Sequence, residues 1–166
     1  MVVQNSEWGP PLWRILHTLA ARLGTHTIAI TAADEARAWV QVLRGIEKAM
    51  PCPVCRSHYK EWRVAHPFEG MVSLRGAMLR DTAQRWLWDL HTDVNMRRAS
   101  GGTDAPADYD ACCARYAQVS MPAFQADLET LVKYLLQATQ FRQVKAECIK
   151  EFRAALWMIR KFTSLF

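Results

Sequence analysis

Residues 51–59 read Pro-Cys-Pro-Val-Cys-Arg-Ser-His-Tyr, which sets Cys52 three positions before Cys55 with basic side chains close behind. With Pro53 in the first helical turn, the pair sits at a helix N-terminus. Unpaired N–H groups and the helix dipole there stabilise a thiolate. A low-pKa thiol beside a second thiol is the arrangement of a dithiol that forms and breaks a disulfide. The same spacing also serves zinc. Cys52, Cys55 and His58, with a distant His66 or His91, would make a zinc-binding helical interaction module, although CxxCxxH matches finger spacing poorly. Neighbouring residues must decide between the two chemistries.

A second cluster lies at 88–98. Trp88, His91 and Asn95 are separated by three and four residues, so on a helix they share one face, with Val94 beside them and Arg97 and Arg98 following. An apolar wall, an imidazole, an amide and a terminal guanidinium suit a ligand with a flat ring at one end and phosphates at the other. The plain alternative is core packing with a solvated helix end. Trp13 and His17, four residues apart, repeat the theme beside the stripe of Leu12, Ile15, Leu16 and Leu19.

The elements that must position these groups are helices. The 166-residue chain is 51% hydrophobic and 22% charged, a composition that supports one globular core. Pro10 and Pro11 are expected to open a helix over 10–23 that Gly24 closes. Thr31 is read as the N-cap of a second, ending at Met50-Pro51, and a third runs from the CxxC to His66-Pro67. Ser73 is read as the cap of a long fourth helix to about Arg98. A loop follows over 99–108, then a helix over 109–118 and two more within 123–166. No strand pattern appears, and the fold class is all-α.

The charge of +5 and pI near 9.1 suit an acidic ligand or partner, while the lack of a Lys/Arg-rich block argues against nucleic acid. Residues 1–7 are short and polar, so no secretory leader is expected. No apolar stretch approaches the ~18 residues of a membrane span. A cytoplasmic location follows as the expectation, and there a CxxC is more often catalytic or metal-bound than structural.

Three stretches together resemble the Erv/ALR family of FAD-linked sulfhydryl oxidases. Gly9, Trp13, Leu16 and His17 match its Gly-x-x-x-Trp-x-x-Leu-His opening helix. Cys52, Cys55, His58 and Tyr59 match its Pro-Cys-x-x-Cys run and the His-aromatic pair that often follows. His91, Val94, Asn95 and Arg97 match its His-Asn-x-Val-Asn-x-Lys/Arg flavin signature. The motifs occur in the family's order over roughly residues 8–118. Thr92 departs from the usual Asn, and Ala99-Ser100-Gly101-Gly102 replaces the expected Gly-Lys-Pro. The compact length and the Tyr109…Arg115-Tyr116 run resemble the viral branch, which would place the protein in host cytoplasm or a virion.

The resemblance implies a helical bundle, a four-helix core plus a short helix, that holds FAD beside the CxxC. Residues 1–120 would form the FAD-binding sulfhydryl oxidase domain, with Cys52 and Cys55 catalytic. Trp13, His17, Tyr59, His91, Val94, Asn95 and Arg97 would line the flavin or its adenine and phosphates, with Trp88 added from the helix face described above. Cys52 would take the thiol of a protein substrate or of a thioredoxin-like relay protein, and molecular oxygen would receive the electrons as hydrogen peroxide. The family is typically dimeric. Residues 121–166 would then be a C-terminal helical extension whose apolar face forms a homodimer contact or meets an electron-delivering partner. Cys112, Cys113 and Cys148 are either reduced packing residues or, through a bridge to Cys148, a structural clamp.

Overall fold

The computed structural model describes residues 2–98 and 108–166; most of the loop expected at 99–108 lies outside them. The described residues are all-α: α1 Asn5–Ala21, α2 Ala29–Ala49, α3 Pro53–Ala65, α4 Gly76–Arg97, α5 Tyr109–Ala117, α6 Met121–Gln140 and α7 Ala146–Thr163, with a 3₁₀ turn Glu69–Ser73 between α3 and α4.

Three helix starts differ from expectation. α1 begins at Asn5 because Gln4 N–H donates to Glu7 Oε2 at 2.7 Å, closing the first turn before either proline. Pro10 and Pro11 fall in its second turn, where the amides they lack would have paired with carbonyls of the first turn. α2 starts at Ala29, so Thr31 lies inside it. Ser73 ends the 3₁₀ turn, closed by Leu74 N–H on the Met71 carbonyl, and α4 begins at Gly76. Backbone proximity shapes this corner: Gly24 has φ +78°, and a Cβ on it would lie 2.0 Å from the Gly76 carbonyl oxygen.

The last two helices pack against the first two. α6 lies along α1 and α7 along α2, the two most extensive pairings in the fold. Phe124, Leu128, Leu131 and Leu135 of α6, with Phe152, Leu156 and Ile159 of α7, are buried in one cluster with Ile15, Leu19, Trp39 and Leu43. Gly45 permits the closest approach, since a Cβ there would sit 2.9 Å from Phe152 Cδ2. The apolar residues Phe124, Leu128, Leu131, Leu135, Phe152, Leu156 and Ile159, expected at an interface, are therefore buried inside the chain, where packing on α1 and α2 carries no association entropy cost. No helix among the described residues is long and apolar enough to cross a membrane.

Candidate functional site

The site begins at the N-terminus of α3. Cys52 is its N-cap, and its Sγ accepts the Cys55 backbone N–H at 3.1 Å, so one orphan donor of the helix end points at sulfur. The two cysteines are bonded to each other with Cα atoms 5.2 Å apart. Asn5, in the first turn of α1, brings Nδ2 to 3.4 Å from Cys55 Sγ and 3.6 Å from Cys52 Sγ. A helix-end amide and a side-chain amide thus converge on the group that must carry charge when the bond opens.

Cys55 also forms part of the wall of a cavity of about 270 Å³. Its floor is apolar: Trp8, Leu12 and Leu16 from α1, Ile46 from α2, and Leu90 and Val94 from α4. Trp13 and Tyr59 supply aromatic surface, and Arg97 and Arg98 border the cavity at the exposed end of α4. Tyr59 is fixed by donating its hydroxyl to the Leu43 carbonyl at 2.8 Å, and burial pushes its phenol pKa well above the ordinary value.

Asp93 fastens the disulfide helix to α4. Its Oδ2 lies 2.6 Å from His58 Nε2 and accepts from Arg97 Nε at 2.9 Å. Arg97 is thus held on its own helix, four residues on. Arg98 has no carboxylate partner among the described residues, which leaves its guanidinium for an anion at the cavity edge.

Behind Trp13 stands a buried imidazole pair. The rings of Trp13 and His91 stack with centroids 3.9 Å apart and planes within 4°. His17 Nε2 lies 3.1 Å from His91 Nδ1, so only one of the two nitrogens carries the hydrogen between them. His17 also stacks on Tyr116, and Cys112 Sγ lies 3.9 Å from its Nδ1. Burial lowers the His17 pKa to about 4; burial, then His17 and Arg98, lower that of His91 to about 3. Both are neutral at pH 7.

Of the expected cofactor residues, Trp13, Tyr59, Val94 and Arg97 wall the cavity together with Cys55. His17 and His91 do not reach it and instead back Trp13. Trp88 and Asn95 do not line it. Trp88 meets Tyr109 edge-on at 5.8 Å, and Arg85 lies over both rings, so the face expected to carry Trp88, His91 and Asn95 is divided between two neighbours. Arg98, read in the sequence with Arg97 as a guanidinium at the helix end, is in the wall, and so are Trp8, Met50 and Asn5, which were not expected there. Trp8 and Met50 adjoin the opening-helix and CxxC motifs, whereas Asn5 gave no signal because its helix was expected to start later. Cys112, Cys113 and Cys148 are unbridged. The zinc arrangement finds no ligand set: the two sulfurs bond each other, His58 turns to Asp93, and no three His, Cys, Asp or Glu side chains among the described residues are gathered as metal ligands would be.

Residues 10–110 match the model of the Erv1/Alr family. The chain belongs to the Erv1/Alr family. Members of this family are generally sulfhydryl oxidases, and the paired Cys52 and Cys55 of this Erv1/Alr chain fall inside the matched span. α6 and α7 lie beyond it, although they fill the same core. No curated protein and no solved structure matches the chain.

Proposed function

We propose that this Erv1/Alr chain is an FAD-dependent thiol oxidase that forms disulfides in substrate proteins and passes the electrons to oxygen, giving hydrogen peroxide. The observation that carries the reading is the position of Cys55: one sulfur of the disulfide forms part of the wall of an apolar, aromatic-sided cavity.

The cavity suits a flavin in shape and chemistry. Its volume of about 270 Å³ is just below the roughly 300–1,000 Å³ of small-molecule sites, enough for a flat fused ring though not for a whole dinucleotide. Trp13 offers a planar face, and Arg98, without a carboxylate partner among the described residues, offers cationic charge beside Arg97 for phosphate oxygens. The buried indole N–H of Trp8, on the same wall, has no acceptor among the described residues. Bound FAD would supply a two-electron acceptor that hands its electrons to oxygen.

The protein's own part is thiol exchange. A substrate thiolate attacks Cys52 Sγ; the Cys52–Cys55 bond breaks, and Cys55 leaves as a thiolate facing the cavity. A second substrate thiolate attacks the mixed disulfide and releases Cys52 as a thiolate, which takes a proton from solvent. Two substrate thiols have become a disulfide, and the Cys52/Cys55 pair holds the two electrons. The Cys55 N–H and the Asn5 amide stabilise charge on the departing sulfurs, and the apolar walls keep water away.

The test is direct. Purified protein should show a flavin absorption spectrum and consume oxygen with a small dithiol. Cys52→Ser and Cys55→Ser should each abolish turnover and leave FAD bound, because the cavity is built mainly by other side chains. Near-normal oxygen uptake by either variant would sink the mechanism.

A further inference from the structure

α3 has two working faces. Cys55, His58 and Tyr59, spaced by three and four residues, point to the candidate cofactor cavity. Cys52, Arg56 and Lys60 follow each other at intervals of four along a different face, and the Arg56 N–H bonds the Cys52 carbonyl at 3.0 Å. Arg56 and Lys60 lie in the wall of a second depression, an open groove of about 810 Å³. Its other wall is the turn between α6 and α7, with Arg142 and Lys145. Lys48, from the end of α2, completes five cations against the carboxylates of Glu47 and Glu147.

The charge in this groove is largely uncommitted. Glu47 is taken by Arg63, and Lys48 faces Glu151 at 3.8 Å. Arg56, Lys60, Arg142 and Lys145 have no carboxylate partner among the described residues. The groove is also preformed. The Gln143 side chain clamps the far wall to the N-terminal segment, accepting from Val3 N–H at 2.7 Å and donating to the Val3 carbonyl at 3.2 Å. On the near wall, Arg56 Nη1 donates to the Met50 carbonyl.

We propose that this basic groove between α3 and the α6–α7 turn docks an acidic segment of the thiol-bearing protein substrate, delivering its cysteine to Cys52. This rests on the thiol-oxidase reading above. Four cations without a carboxylate partner among the described residues complement a run of Asp and Glu, and a charge-matched groove raises the encounter rate and sets the register of what enters. A polypeptide fits better than a nucleic acid for two reasons. No aromatic side chain among the described residues lines the groove for bases to stack on, and two carboxylates interrupt the path a phosphate backbone would follow. Arg56 lies one helical turn from Cys52, so a segment held in the groove brings its cysteine toward that sulfur while Cys55 forms part of the cavity wall.

Two measurements on the full chain test this. In the first, a fluorescent peptide rich in Asp and Glu, with Ser in place of Cys, is titrated against the protein and followed by anisotropy. A basic peptide and a single-stranded oligonucleotide serve as comparisons. The acidic peptide should bind at least about tenfold more tightly than the basic one, and its binding should weaken steeply at about 0.5 M salt. Lys60→Glu/Lys145→Glu should remove that preference, and the milder Lys60→Gln/Lys145→Gln should halve it or more. Helical content and melting temperature check the fold of each variant.

In the second, acidic Cys-containing peptides and dithiothreitol are compared as oxidase substrates. The charge-reversal variant should lose about tenfold in kcat/KM for the acidic peptide and the Gln variant about twofold or more, and neither should lose any for dithiothreitol. Equal binding of acidic and basic peptides, tighter binding of the oligonucleotide, or unchanged peptide turnover in the variants would each overturn the docking proposal. Absence of dithiothreitol oxidation by the unmodified protein would instead overturn the oxidase reading, so the two failures are distinct.

Discussion

Asn5 Nδ2 stands 3.4 Å from Cys55 Sγ across a separation of fifty residues, joining the first turn of α1 to the disulfide at the start of α3. The contact is exposed, so its net contribution is modest, about 0.5–1.5 kcal/mol. Asn5→Ala should lower the rate of disulfide opening by a small dithiol about three- to tenfold and raise the pKa of the reduced pair. Stopped-flow kinetics across pH measure both, and an unchanged pH profile would confine Asn5 to a structural part.

His58 and Asp93 provide the link between α3 and α4, with Arg97 on the same carboxylate oxygen. All three groups are partly solvated, so the triad is worth less than a buried network. Asp93→Ala should cost about 1–2 kcal/mol of stability. It should also weaken cofactor retention, because α3 and α4 form opposing walls of one cavity. Chemical denaturation and the flavin-to-protein absorbance ratio read the two effects, and a variant with both unchanged removes the link from the site.

Acid sensitivity follows from the His17–His91 pair. Both imidazoles have folded pKa values depressed from 6.5, to about 4 and about 3. Their stabilisation is therefore present above about pH 6.5 and is lost as pH falls toward 4 and 3, where unfolding releases rings that take up protons. Melting temperature should drop steeply over that interval, and His91→Phe, which keeps a ring on Trp13, should flatten the drop. Parallel pH curves for the two proteins would assign the acid sensitivity elsewhere.

Gly24 and Gly70 form a matched pair of substitutions. Gly24 combines φ +78° with a Cβ position 2.0 Å from the Gly76 carbonyl oxygen, whereas a Cβ on Gly70 meets nothing within 4 Å. Gly24→Ala should cost on the order of 3 kcal/mol or more, and Gly70→Ala less than about 1. Equal melting temperatures would show that the α1–α2 corner can move away from α4.

The C-terminal helices should be indispensable to the fold. Phe152→Ala should destabilise by about 3–5 kcal/mol, since the ring is buried against Gly45. Truncation after Ser120 would strip the partners of α1 and α2 and should give an aggregating chain with little cooperative melting. A soluble, cooperatively folded fragment would instead support an independent domain over 1–120.

Composition and periodicity alone determined that this chain is helical, and they located most helix ends, because prolines, glycines and the apolar stripe act locally. The cysteine pair was equally legible: a three-residue spacing behind a proline is a local fact, and α3 places it at its N-terminus as expected. What lines the cavity was only partly legible. Trp13, Tyr59, Val94 and Arg97 reach it, whereas Trp88, on the same helix as Val94, turns to Tyr109. A helix face predicts direction, but the neighbour that fills that direction comes from elsewhere in the chain. Asn5 was silent for the same reason, since its partner is fifty residues away. The amphipathic pattern of 121–166 showed that an apolar face had to be buried and did not say against what. Tertiary structure decided that, laying α6 on α1 and α7 on α2, because burial is non-directional and goes to whichever complementary apolar surface the chain can bring into contact.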